Sequence, residues 1–173
     1  SFRLSEIEAR SGSESPTPSR PGPLAFEGFR KSLQPSDALL SFHLGDTESY
    51  LWELTRESFR MRPLPHRSRL ASMVKEFSAA VRSGGGHEAA ERLYSVLFSQ
   101  LSQSVLRKPH WTIRPEHELF EAPLAALVTG HRTTGPTFLL ESHSLTTSPA
   151  ELAGGWKPFR NYGGTFLGVG DAV

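Results

Sequence analysis

From Ala38 to Leu54 apolar and polar residues alternate, break once at Gly45-Asp46, and then alternate again. Alternation with period two puts every second side chain on one face of an extended strand. Ala38, Leu40, Phe42 and Leu44 thus share a face of one strand, and Tyr50, Trp52 and Leu54 a face of the next. Gly-Asp between two such runs is turn chemistry, because Gly tolerates positive φ and Asp bonds its own backbone. Phe59-Arg60-Met61-Arg62 repeats the alternation until Pro63 and Pro65 end it. The pattern predicts an antiparallel meander whose core face carries Tyr50, Trp52, Phe59 and Met61.

Helical spacing takes over on either side. Phe26, Phe29 and Leu33 predict a short helix over 24–34, stopped by Pro35. Leu70, Val74, Phe77 and Val81 form the stripe of an amphipathic helix over 68–82, and Gly84-Gly85-Gly86 supplies its C-terminal cap. Leu93, Leu97 and Leu101 mark a second helix over 87–106, ahead of Pro109. Beyond it the chain predicts a strand at Trp111-Thr112-Ile113, a helical turn over 123–128 and a strand over 137–140. Another strand follows over 142–147, with Glu141-Ser142 as the turn before it, and an apolar strand at 165–169 ends in Gly170-Asp171. Strands, then helices, then strands imply an α/β sheet with an antiparallel extension. There is no internal repeat at solenoid periods.

Residues 11–23, rich in Ser and Pro, bury no apolar surface and break both helix and strand, so they read as a linker. The ten residues before it, with Leu4 and Ile7 three apart, read as the tail of a preceding helix. The organisation expected is therefore a helix remnant and linker over 1–23 and one folded unit over 24–173. The chain opens at Ser1 and stops at Val173 directly after an apparent strand, which leads us to expect a piece of a longer protein.

Composition narrows the chemistry. The 173 residues suffice for one domain with a real core. A net charge of +1 gives no general attraction to nucleic acid or to an anionic membrane. No apolar run reaches bilayer-spanning length, and the expected location is the cytoplasm. There is no cysteine, which excludes a disulfide framework, a thiolate metal site and a cysteine nucleophile.

Four segments, in order, resemble the first half of a CHAT domain, the caspase-like domain found after tetratricopeptide repeats. The first is the meander from Ala38 to Pro65, with its leucine pair, aromatic residue, Leu44-Gly45-Asp46, Ser49-Tyr50-Leu51-Trp52 and Leu64-Pro65. The second is the run from Pro115 to Leu127, similar to the family's Pro-Asp-Gly followed by Pro-Phe-Ala-Ala-Leu. The third is Phe138-Leu139-Leu140-Glu141-Ser142-His143-Ser144-Leu145 with Ser148-Pro149 behind it. The fourth is Phe166-Leu167-Gly168-Val169-Gly170-Asp171, like the family's Gly-Asp-Pro strand end. Two positions depart: His117 stands where the family has Gly, suggesting a different turn geometry, and Ala172 where it has Pro.

The resemblance implies a caspase-like α/β fold, an incomplete domain, and membership of the clan of cysteine peptidases that includes separase. It also implies a protein or peptide substrate or partner, and upstream tetratricopeptide repeats in the same polypeptide. The family's dyad is a His followed by Gly and a later Cys. No His here precedes Gly and no Cys exists, so this chain holds no catalytic residue and the dyad is expected beyond Val173. No cofactor or metal is expected. The alternative is a caspase-like interaction module without catalysis.

Other residues invite chemistry. His143 between Ser142 and Ser144 suggests a serine hydrolase, but no G-x-S-x-G elbow is present, and a strand-edge His bonded to backbone is the plainer expectation. His110, His117, Glu116 and Glu118 are metal-ligand types, yet the two histidines flank a strand, too far apart for one ion without a sharp turn at Pro115. Gly163-Gly164, Gly168 and Gly170 lack the order of a phosphate-binding loop. Asp171, at a strand's carboxyl end, would face the ligand side of an open sheet or cap a helix. Arg56, Arg60, Arg62, Arg67 and Arg69 form the only basic cluster. Either they dock an acidic partner, or they line a solvated face with Glu53 or Glu57 pairing Arg60 and Arg62.

Overall fold

A computed structural model describes residues 23–148. Helix α1 (Pro23–Ser32) leads into the meander β1 (Asp37–Leu44), β2 (Ser49–Leu54) and β3 (Phe59–Leu64). Two amphipathic helices follow, α2 (Arg67–Arg82) and α3 (His87–Phe98), and then a single turn, α4 (Gln103–Leu106). Strand β4 (His110–Arg114) precedes two 3-10 turns, His117–Glu121 and Leu124–Ala126. A hairpin of β5 (Val128–Arg132) and β6 (Gly135–Phe138), a 3-10 turn at Leu139–Glu141 and β7 (Ser144–Thr147) complete the described chain. The strand and glycines expected beyond Ser148, with Asp171, lie outside the described residues, as does the linker up to residue 22.

The main sheet has the order β3-β2-β1-β4-β7. The meander pairs antiparallel, whereas β1 with β4 and β4 with β7 pair parallel. The fold class is α/β, with an antiparallel meander flanking a parallel core. Ala38, Leu40, Phe42 and Leu44 of β1 face Leu70, Val74 and Phe77 of α2 and Leu93 and Leu97 of α3 in one buried cluster. Trp111 and Ile113 extend it under Leu119, Leu124 and Leu139. Leu39, on the opposite face of β1, packs with Leu33 and Leu54 beneath Phe26 and Phe29 of α1. A strand buried on both sides belongs at the centre of a sheet, where β1 lies.

The meander's core face differs from the pattern's prediction. Leu40 pairs with Glu53 and Phe42 with Leu51, so Ser49, Leu51 and Glu53 are the residues of β2 that turn inward. Tyr50 and Trp52 turn outward with Phe59 and Met61, and the last two are 50% and 55% exposed. Alternation identifies two faces without saying which is covered. Among the described residues the face with the larger side chains meets α1, through an edge-on Phe26–Phe59 contact and the Leu54 packing.

Arg60 and Arg62 are corrected with it. They lie on the inward side of the edge strand, where Arg60 stays exposed while Arg62 reaches the buried Glu53 carboxylate at 3.2 Å.

Two boundaries shift. The predicted second helix ends at Phe98, and the chain restarts at Ser102. The strand expected over 137–140 is β6, ending at Phe138, where a Glu141 carboxylate accepts the Phe138 N–H and tightens the chain into a 3-10 turn. Its hairpin partner β5 carries no clear alternation and was not predicted. The glycine cap of α2 forms as expected: Gly84 sits at φ 79°, its N–H reaches the Val81 carbonyl, and the Gly85 N–H reaches that of Ala80.

Candidate functional site

The carboxyl ends of parallel strands are where open α/β sheets gather ligands. At those ends the turn after β1, the start of α2 and the turn after β4 are clasped together. Glu116 Oε2 accepts the Leu44 N–H at 2.6 Å and lies 3.3 Å from His43 Nδ1. Glu118 accepts three bonds from Arg67, at 2.7, 3.0 and 3.1 Å. Arg67 in turn donates its backbone N–H to the Gly45 carbonyl. The Gly45 N–H closes the β1–β2 turn on Glu48 O and Ser49 Oγ, and a β-carbon at Gly45 would collide with that Glu48 carbonyl.

His117, between the two glutamates, is the one non-glycine residue with positive φ among those described, at 50°. His117 thus takes a left-handed conformation, which Gly takes at least cost. The Arg67 guanidinium holds the Glu118 carboxyl at about 2, far below the usual carboxylate range. A carboxylate so stabilised in its charged form is a poor proton acceptor near neutral pH. The clasp ties the three loops together.

At the opposite ends of the strands, His110 Nδ1 meets Ser144 Oγ at 2.5 Å, and Ser144 donates its N–H to Pro109 O. This juxtaposition was not anticipated; the parallel register that sets position 110 beside 144 is its only sequence signal. Among the described residues no carboxylate contacts the His110 ring, so the pair lacks the third member of a triad. His143, the residue first singled out, instead bonds Lys108 O through Nδ1 at 2.9 Å and stacks on Trp111 with ring centroids 3.9 Å apart. It is the backbone-bonded strand-edge His of the plainer reading. Among the described residues no three metal-ligating side chains come together.

The basic cluster is partly spent inside the fold. Arg62 binds Glu53, which is 1% exposed and whose other oxygen accepts the Ser102 N–H at 2.9 Å and its hydroxyl at 3.0 Å. Glu57 pairs with Lys108 and with none of the arginines expected. Arg60 and Arg69 are exposed.

An apolar cleft of about 230 Å³ opens beside β7, lined by Ile113, Leu119, Phe120, Leu124 and Leu145. No helix among the described residues is long and apolar enough to cross a membrane.

Compared with protein-family models and with curated proteins, the chain matches none. The geometry of the strand ends therefore stands by itself.

Proposed function

We propose that residues 24–173 form the N-terminal, non-catalytic part of a CHAT-type caspase-like domain whose His and Cys lie further along the polypeptide. One observation carries the reading. The run from Pro115 resembles the family's Pro-Asp-Gly turn, and the position at which the family has Gly adopts a left-handed backbone, φ 50° at His117. That is a reason of backbone geometry for a Gly at this place, independent of side-chain likeness. The parallel strands β1, β4 and β7 flanked by a meander also suit a scaffold that presents chemistry at strand ends.

In this reading the whole domain hydrolyses a peptide bond. A thiolate attacks the carbonyl, an acyl-enzyme forms, and water assisted by the His releases it. The chain described supplies the sheet, its covering helices and the clasp at the strand ends. Its substrate or partner is a protein or peptide, with tetratricopeptide repeats upstream and a cytoplasmic setting.

A second reading, a non-catalytic interaction module, is favoured by the exposed side chains Trp52, Phe59 and Met61 beside one another on the meander. The coding sequence after Val173 separates the two. A His-Gly pair followed by a Cys supports the peptidase, and that Cys→Ala must then abolish peptide hydrolysis by the extended protein while leaving its melting temperature unchanged. If no such pair is encoded, or if the Cys→Ala protein cleaves as before, the peptidase reading fails.

A further inference from the structure

Local preference and tertiary contact disagree at one residue of the clasp. Glu116, His117 and Glu118 run between two buried residues, Pro115 and Leu119. The parallel backbone ladder of β1 and β4 ends at Ser41 and Arg114. Further along β1 the Glu116 carboxylate takes over, accepting the Leu44 N–H at 2.6 Å. Glu118 grips a different element, taking three bonds from Arg67 at the start of α2, the shortest at 2.7 Å. Arg67 closes the circuit with its own N–H, 3.0 Å from the carbonyl of Gly45, the neighbour of Leu44. Between the two grips His117 holds φ at 50°, in the left-handed region. A residue with a β-carbon is disfavoured there and stays only where its surroundings overdetermine it. The carboxylates on either side of His117 supply that constraint.

We propose that His117 is a strained link that joins the two carboxylate grips into one latch, so that the turns after β1 and β4 and the start of α2 are fastened or released together. Relaxing His117 from φ 50° to a right-handed conformation turns its N–Cα bond by about 110°. Glu116 lies on one side of that bond and Glu118 on the other, so both cannot keep their partners through the rotation. While both hold, the strain stays stored. Once one lets go, the strain carries the backbone over and pulls the other grip away. Two partly exposed contacts linked in this way behave as a single two-state element. A molecule reaching these strand ends meets three ordered turns or three released ones, and binding that differs between the two shifts the balance. This inference does not depend on the peptidase reading.

The test is amide hydrogen exchange on the whole chain, with Leu93 in the middle of α3 as the reference for global opening. Glu118→Gln leaves the acceptor of the Leu44 amide in place, yet it speeds exchange at Leu44 by roughly tenfold beyond any change at Leu93. In a His117→Gly background the left-handed backbone carries little strain, and the same substitution speeds Leu44 by less than about threefold beyond Leu93. A Leu44 amide that follows Leu93 in Glu118→Gln shows two independent contacts and overturns the proposal. Equal acceleration in both backgrounds shows that His117 transmits nothing between the grips and overturns it as well. Should Glu118→Gln strip Leu93 of its protection, the milder Arg67→Lys is read from the Leu44 amide proton. A bond to a carboxylate draws that resonance downfield; an upfield move in Arg67→Lys supports the latch, and an unchanged position refutes it.

Discussion

Replacing Glu53 with Ala tests whether a buried carboxylate clamps the meander to the helical layer. Its two oxygens serve different elements: one faces the Arg62 guanidinium of β3, the other accepts both donors of Ser102 ahead of α4. Breaking a buried charged pair by removing one partner costs roughly 3–5 kcal/mol, since the other partner keeps its desolvation penalty. Arg62 retains 28% exposure and Ser102 is half-buried, so water recovers part of what each loses. The lower end applies, about 3 kcal/mol, which lowers the melting temperature by about 6–12 °C for a chain of this size.

Glu53→Gln keeps a hydrogen-bond acceptor and the volume but loses the charge, and falls about midway. Thermal and urea unfolding followed by circular dichroism measure both, with Arg60→Ala on the exposed part of the same strand as the reference. That control stays within about 0.5 kcal/mol of the parent. If Glu53→Ala is no worse than the control, or Glu53→Gln equals the parent, the clamp does not exist.

Further outcomes follow from the same geometry. Gly45→Ala forces a β-carbon against the Glu48 carbonyl oxygen and costs about 2 kcal/mol, read as a drop in urea midpoint at unchanged slope. His117→Gly relieves the left-handed backbone, and after the extra freedom Gly gives the unfolded chain it gains about 0.5 kcal/mol; a loss instead would show that the His ring is needed. Glu118 has a folded pKa of about 2, below its ordinary value, so its pairing with Arg67 stabilises fully above pH 4.5 and is lost as pH falls toward 2. The melting-temperature gap between parent and Glu118→Gln is therefore constant from pH 7 to 5 and closes by pH 2; a gap that persists at pH 2 contradicts the assignment.

The fold was legible where side-chain period and backbone punctuation agree. The stripe Leu70, Val74, Phe77 and the Gly84-Gly85 cap bound α2 to within one residue, because both signals are local. The face of the meander was not legible. Tyr50, Trp52, Phe59 and Met61 have the stronger apolar pattern, yet α2 and α3 pack on the Leu40 side. The β5–β6 hairpin escaped notice for a related reason: Thr129-Gly130-His131-Arg132 has little apolar content, and the hairpin is held by pairing with Gly135–Phe138. At the strand ends the residues Glu116, His117 and Glu118 were visible as a group, but their partners Leu44, His43 and Arg67 are distant in sequence. A pattern within one window carries no information about such contacts.

The inward-facing Glu53 has a kinetic consequence. A one-residue slip of β2 turns the strand over and offers Tyr50, Trp52 and Leu54 to the helical layer, an apolar match at least as good as Ser49, Leu51 and Glu53. Hydrophobic collapse by itself does not choose between these arrangements. The choice falls to the groups that recognise the carboxylate, and one of them, Ser102, lies well beyond the meander in the chain. During synthesis the meander is complete long before Ser102 emerges. Until then Arg62 is the only one of these partners present, so a nascent chain that stops short of Ser102 lacks part of the instruction for folding its own first hairpin.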